Sequence, residues 1–148
     1  MTSLTVRPAI VDDHDSWLPL WRGYQEFYEV DLPAPTTATT WQRFLDPAEP
    51  MHAAVAELDG RVVGIVHFIE HRSCWSPLNS LYLQDLFTDT SVRGRGVGRA
   101  LIEYVYAQGP VLGAGKVHWL THESNTQAML LYDQVAERPG LLQYRKTL

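Results

Sequence analysis

The 148-residue sequence predicts a mixed α/β fold, and three observations carry that prediction. Apolar runs of strand character alternate with segments of helical spacing along the chain. A glycine- and arginine-rich stretch, Val92-Arg93-Gly94-Arg95-Gly96-Val97-Gly98-Arg99, stands between a long apolar run and a helical pattern. The strand, helix and strand around that stretch need a parallel crossover.

Leu4-Thr5-Val6-Arg7 alternates apolar and polar residues and meets Pro8, which suits a short first strand. Asp12, Asp13 and Asp15 form the acidic start of a helix in which Trp17, Leu20, Trp21, Tyr24, Phe27 and Tyr28 keep helical spacing. Trp17, Leu20 and Trp21 read as core, whereas Tyr24, Glu26 and Tyr28, nearer the helix end, read as pocket candidates. Asp31 to Thr40, with Pro33, Pro35 and four threonines, reads as a loop. A short helix through Trp41, Phe44 and Leu45 is capped near Thr40 and ended by Asp46 to Pro50.

Met51 to Leu58 and Val62 to Phe68 read as strands joined by Asp59-Gly60, the pair that favours a type I′ hairpin. After a loop around Ser73 to Asn79, Ser80 to Thr88 reads as a central strand. Val97, Ala100, Leu101, Tyr104 and Val105 place one apolar stripe on a helix that Gly109 and Pro110 stop. Val117 to Thr121 follows as a short strand. Ser124-Asn125-Thr126-Gln127 has capping-box spacing, and Ala128, Leu131, Tyr132 and Val135 share a face of the helix after it. Leu141 to Leu148 alternates loosely, as a last strand.

With 45% hydrophobic and 20% charged residues the chain is expected to be one globular domain over residues 1–148. It has no run that spans a bilayer and no N-terminal signal pattern, which points to a cytoplasmic chain starting at Met1, with no membrane partner. A net charge of −5 argues against nucleic acid as partner and is compatible with a cationic substrate. Cys74 is the single cysteine, which excludes an internal disulfide, and it reads as a buried or incidental thiol. No metal is expected, since His118 and His122 have no third ligand spaced with them; His67 and His71 read as ordinary strand or loop residues.

The glycine stretch has a chemistry of its own. Glycine permits positive φ and close backbone approach, and a helix start leaves about four N–H groups without an internal acceptor. With the helix dipole behind them, such groups hold phosphate. A dinucleotide fingerprint fails because Arg99 stands where the third glycine is needed, and a P-loop fails because no Gly-Lys-Ser/Thr follows.

With these residues in place, the chain resembles the GNAT superfamily of acetyl-CoA-dependent N-acetyltransferases. Its pattern Q/R-x-x-G-x-G/A is met by Arg93-Gly94-Arg95-Gly96-Val97-Gly98, and its asparagine followed by a helix ending in Leu-Tyr is met by Asn125 and Leu131-Tyr132. Tyr82-Leu83-Gln84-Asp85-Leu86-Phe87 is similar to the strand of the diamine and thialysine acetyltransferases and their yeast histone/polyamine relatives. Gln84 departs from that branch, where the diamine enzymes tend to carry a second acid.

The resemblance implies a splayed mixed sheet of about six or seven strands flanked by about four helices, assembled as a homodimer. It implies acetyl-CoA as donor, with the pantetheine arm along Leu86, Phe87 and Thr88. The pyrophosphate would sit on the amides of Arg95, Gly96, Val97, Gly98 and Arg99, with Arg93 and Arg95 supplying charge. Asn125 caps its helix, contacts the pantetheine arm, or both. Tyr132 matches the family's general acid. Asp85, Glu123 and His122 are the candidate bases, directly or through water; Asp85 stands equally as a substrate-ammonium contact or a structural acid.

The expected reaction is attack of a primary amine on the acetyl thioester. The acceptor is a small molecule, a polyamine, diamine or basic amino-acid derivative; a protein lysine or N-terminal amine, and a noncatalytic acyl-CoA sensor, stay open.

Overall fold

The structure, a computed structural model, describes residues 3–148; Met1, expected as the start of the chain, lies outside them. Five strands form one sheet: β1 (Leu4–Pro8), β2 (Met51–Leu58), β3 (Arg61–His71), β4 (Asn79–Thr88) and β5 (Ala114–His118), in that spatial order. The first four are antiparallel neighbours, and β4 pairs with β5 in parallel. Helices α1 (His14–Phe27) and α2 (Ala34–Leu45) cover one face. Helix α3 (Val97–Val111) covers the other, with α4 (Thr126–Val135) packed beside it. Among the described residues no helix is long and apolar enough to cross a membrane.

Each face has its own core. Trp17, Trp21 and Trp41 close over Val55 and Ile65, with the Trp17 and Trp41 rings 4.7 Å apart. On the other face Val97, Leu101, Ile102 and Val105 of α3 are buried against Ala54, Val66, Phe68, Leu81 and Leu83. At about 1.5–3 kcal/mol for each buried side chain, those four contribute at most about 6–12 kcal/mol, which anchors α3 independently of the glycine loop before it. Gly64 makes the approach possible: a Cβ there would meet Val97 Cγ1 at 2.9 Å and Leu101 Cδ1 at 3.1 Å. Away from the cleft, Arg7 donates to both Asp13 oxygens at 2.7 and 2.8 Å and to Glu57 at 2.6 Å. That joins β1, β2 and the turn before α1, and the Arg7 hydrogen bonds hold the Asp13 carboxyl below its usual range.

The Asp59-Gly60 turn has φ of 53° and 82°, the two positive values a type I′ turn needs. Other expectations are corrected. The segment read as a loop up to Thr40 is helical from Ala34, because Pro33 and Pro35 lie at the helix start, where a missing N–H breaks no helical bond; Pro33, not Thr40, is the cap residue. Gly109 and Pro110 do not stop α3, which runs on to Val111 and closes with Leu112 N–H on Gln108 O at 2.9 Å. A proline in the last turn forfeits only one bond.

The fifth strand starts earlier than Val117 and ends at His118, leaving Trp119 to Thr121 outside the sheet. Leu141 to Leu148 forms no strand, so the sheet has five strands and not six or seven. Alternation supplies a face but no neighbour, and this segment pairs with no strand among the described residues. Of the two readings of Cys74, buried or incidental, exposure leaves the incidental thiol.

Candidate active site

The sheet opens between β4 and β5. Their pairing runs from Asn79 opposite Ala114 to Tyr82 opposite His118, after which β4 continues to Thr88 without a neighbour on that side. Backbone groups along Leu86, Phe87 and Thr88 therefore lack a ladder partner there and are available to an amide-bearing ligand. A cleft of about 630 Å³ occupies the opening, of a size for a small-molecule ligand. Tyr24 and Phe27 of α1, with Tyr28 just past its end, form one wall; Asn125, Leu131 and Tyr132 form another.

A bulge in β4 decides which side chains face which wall. His67 pairs with Asp85 but Phe68 with Leu83, so Gln84 has no partner in β3. Leu81 and Leu83 point into the α3 core; strict alternation would send Asp85 there too. The extra residue reverses the parity. Leu86 then packs on the α3 side and Phe87 on the α1 side, and Asp85 joins His67 beneath α1. Without Gln84 as an inserted residue, the carboxylate would enter an apolar core.

The glycine stretch forms the cleft's cationic end. Gly94 and Gly96 take φ of 82° and 81°, and Gly96 is the cap residue of α3. The first helical bond is Ala100 N–H to Gly96 O at 3.0 Å, which leaves the amides of Val97, Gly98 and Arg99 without helical acceptors. All three residues line the cleft, as do Arg93, Gly94 and Gly96; Arg95 does not. The Arg93 guanidinium lies 5.7 Å from the Phe87 ring centroid. Arg99 donates to Gln134 at 2.6 Å, tying the helix start to α4, while Gly98 leaves room for Leu131, 3.4 Å from where a Cβ would stand.

Asp85, 9% exposed, adjoins the cleft rather than lining it. Tyrosines from two elements face it. Burial and then the Asp85 charge push the Tyr24, Tyr28 and Tyr82 phenols above their ordinary values. Burial, followed by Tyr28, pushes Tyr132 up to about 12. This places Asp85, Tyr28 and Tyr132 in one electrostatic neighbourhood. Tyr132 also stands edge-on to Trp119, ring centroids 5.5 Å apart.

The sequence reading missed His67. It is 2% exposed and hydrogen-bonded through both nitrogens, to Asp85 at 2.9 Å and to the Trp17 indole at 2.9 Å. The signal was a histidine within an otherwise apolar strand run. Glu26 is exposed and does not line the cleft that Tyr24, Phe27 and Tyr28 wall. His122 is exposed and stacks on Tyr28 at 5.9 Å; Glu123 is exposed.

Ser124 does not cap α4: the helix begins at Thr126 with Asn125 at its cap position. Asn125 makes no side-chain cap bond and donates instead to Thr121 Oγ1 at 3.3 Å, so its carboxamide faces the cleft region. His118 partners His71 at 3.0 Å, not His122. Among the described residues no group of three or more His, Cys, Asp or Glu is placed to hold a metal ion.

A mixed sheet parted at its parallel pair, with a glycine-rich helix start at the parting, offers an unpaired strand edge and free helix-start amides to an anionic, amide-bearing ligand. Comparison with known proteins identifies the class. The model of the acetyltransferase (GNAT) family matches residues 17–136, and the chain belongs to that family as an N-acetyltransferase. A D-amino-acid N-acetyltransferase of Saccharomyces cerevisiae is 35% identical over 145 residues, spanning 97% of this chain and 90% of the relative. An L-ornithine N5-acetyltransferase of Arabidopsis thaliana is 27% identical over 122 residues, 82% of this chain but 49% of the plant protein. Among solved structures, an aminoglycoside N-acetyltransferase in complex with CoA superposes with a TM-score of 0.83 at 20% identity, covering 100% of this chain and 97% of that one. A ribosomal-protein-alanine N-acetyltransferase of Brucella melitensis has a TM-score of 0.81 at 18% identity, with 99% of each chain covered. These last two share the fold.

Proposed function

We propose that the protein transfers the acetyl group of acetyl-CoA to the primary amine of a small molecule, an amino acid or amino-acid derivative carrying an ammonium group. The observation that carries this reading is Asp85: a nearly buried carboxylate whose partner is a histidine and whose other neighbours are tyrosines. Among the described residues no lysine or arginine pairs with it. A buried charge without a cationic partner carries a desolvation cost of several kcal/mol, which an arriving ammonium offsets. The tyrosine faces add cation–π attraction. The yeast relative's D-amino acids and the plant relative's ornithine are acceptors of this kind. Gln84, exposed at the bulge, supplies no second acid, which favours an amino acid over a polyamine.

Acetyl-CoA is the donor on this reading. Its pantetheine arm completes the unpaired edge of β4 at Leu86, Phe87 and Thr88, and its pyrophosphate rests on the α3 amides with Arg93 and Arg99 nearby. Asn125 contacts the arm. The ammonium, with a solution pKa of about 10.4 for an alkylamine, passes one proton to Asp85 or to water, and the neutral amine then attacks the thioester carbonyl. As the C–S bond of the tetrahedral adduct breaks, Tyr132 donates its proton to the departing thiolate, and the second proton released by the acetylated nitrogen restores the phenol directly or through water.

The test is CoA thiol release across a panel of D- and L-amino acids, ornithine, diamines and neutral aromatic amines. Turnover with cationic small amines is expected, and acetyl-CoA binding without amine-dependent turnover overturns the reading. Asp85→Asn is expected to raise KM for the cationic acceptor about 10- to 100-fold, since a hydrogen bond to a charged group contributes about 1.5–3 kcal/mol, and to leave KM for acetyl-CoA unchanged. Unchanged acceptor KM removes Asp85 from the site.

Association into a homodimer belongs to the same reading, supported by the C-terminal segment. Leu141, Leu142 and Tyr144 are 83%, 82% and 93% exposed, a row of apolar side chains without cover. Sedimentation of the full chain is expected to give a dimer mass, and of a chain ended after Glu137 a monomer mass. A monomeric full chain at micromolar concentration rules this out.

A further inference from the structure

The hydrogen bonds around His67 determine its protonation state. An indole N–H only donates, so the 2.9 Å contact from Trp17 Nε1 requires a lone pair on His67 Nε2. The ring proton then belongs on Nδ1, where it is donated to Asp85 Oδ2 at 2.9 Å. A second proton on Nε2 would point at the Trp17 N–H. Trp17 is fully buried and His67 2% exposed, so neither group has room to turn away or to recruit solvent. The remaining neighbours of the imidazole are apolar or aromatic: Trp21 at 4.9 Å and Phe44 at 4.5 Å between ring centroids.

We infer that Trp17 and His67 are positioning residues for acceptor recognition, which hold the Asp85 carboxylate with a neutral imidazole and so keep its full negative charge for the substrate ammonium. This rests on the proposal that Asp85 meets the acceptor. A cationic histidine at the same place would fix the carboxylate equally well but cancel its charge. The indole decides between the two. The arrangement also excludes His67 as a base, because its only lone pair is occupied by Trp17; the ammonium proton leaves through Asp85 or water.

The groups facing Asp85 are His67 on β3, Tyr24 on α1, Tyr28 at its C-terminal end and Tyr82 on β4, and the three phenols are held above their ordinary values. His14, 5.9 Å from the Trp17 ring, faces the replaced side chain rather than Asp85, and a His14→Gln background separates its contribution. His122, stacked on Tyr28, is present in both enzymes compared below and drops out of their ratio.

Imidazole ¹⁵N spectra of the wild-type enzyme test the tautomer without any assay. His67 is expected to carry one proton, on Nδ1, with Nε2 unprotonated. A proton on Nε2, or a doubly protonated ring, overturns the inference. Trp17→Phe removes the donor and frees Nε2 to take a proton. Relative to wild type, its KM for a cationic amino acid is expected to rise as pH is lowered, because a second proton on the ring would then meet no opposing indole N–H. A ratio that is flat with pH overturns the inference.

If Trp17→Phe fails to fold, His67→Asn serves instead: it keeps a donor near the Nδ1 position and cannot become cationic. Its acceptor KM is expected to stay within about threefold of wild type, whereas His67→Ala, which frees Asp85, raises KM about tenfold. Equal effects of the two substitutions overturn the positioning role. The acceptor reading fails separately, through an Asp85→Asn enzyme with unchanged KM.

Discussion

Replacing Tyr132 with phenylalanine is expected to lower kcat about 10²- to 10³-fold while leaving KM for acetyl-CoA within about threefold, because the ring stays and only the donor is lost. Burial pushes the phenol up to about 12. The sign follows directly. A general acid works in its protonated form, so the Tyr132 contribution is present across neutral pH and is lost only as pH rises through about 12. Steady-state CoA release between about pH 6 and pH 10 is expected to show no falling limb from this group.

The raised value also bounds the size of the effect. A thiol ionises near 8.5, so full proton transfer from a phenol pushed up to about 12 runs uphill. Tyr132 therefore acts by a hydrogen bond that strengthens as charge builds on sulfur, and completes the transfer to the extent that the same dry cleft raises the basicity of the thiolate. This places the expected loss in the lower part of the general-acid range of about 10²–10⁴. Wild-type turnover by Tyr132→Phe at every pH would remove the role.

What the sequence made legible is what short-range spacing determines. The glycines and arginines from Arg93 to Arg99, the Asp59-Gly60 turn and the aromatic face of the first helix are local patterns, and each has a local physical cause. The face on which Asp85 lies is different. It depends on an inserted residue at Gln84 that is located only when β3 is set against β4: the pattern of β4 slips at Gln84-Asp85, but the slip alone does not say which residue is the extra one, and the continuous apolar run of β3 offers no register to decide it. For the same reason His67 reads as an isolated polar residue until Trp17, 50 positions earlier, is brought to its other nitrogen. The tail fails conversely: Leu141 to Leu148 has a strand-like pattern but no partner among the described residues, and pattern without partner is not a strand.

The glycine loop yields the second large effect, and the two glycines separate conformation from space. A Cβ at Gly94 or Gly96 would meet nothing within 4 Å, so a larger side chain is not excluded by clash. Both residues nevertheless take φ near +80°, where an L residue carries about 1–2 kcal/mol of strain. A Gly94→Ala/Gly96→Ala enzyme can relieve about 2–4 kcal/mol by turning the backbone, and doing so rotates the peptide groups that lead into the free amides of Val97, Gly98 and Arg99. α3 itself stays in place, because its four buried side chains outweigh that strain. The expected result is an acetyl-CoA KM raised about 10²-fold with little change in melting temperature. If the cause is φ, single substitutions at Gly96 follow the ease of entering the left-handed region. Gly96→Asn is then the mildest, Gly96→Ala intermediate, and β-branched Gly96→Val the most severe. An order set by side-chain volume, with Asn as damaging as Val, would instead mean that the cofactor needs the space, and the conformational account of the cradle would fall.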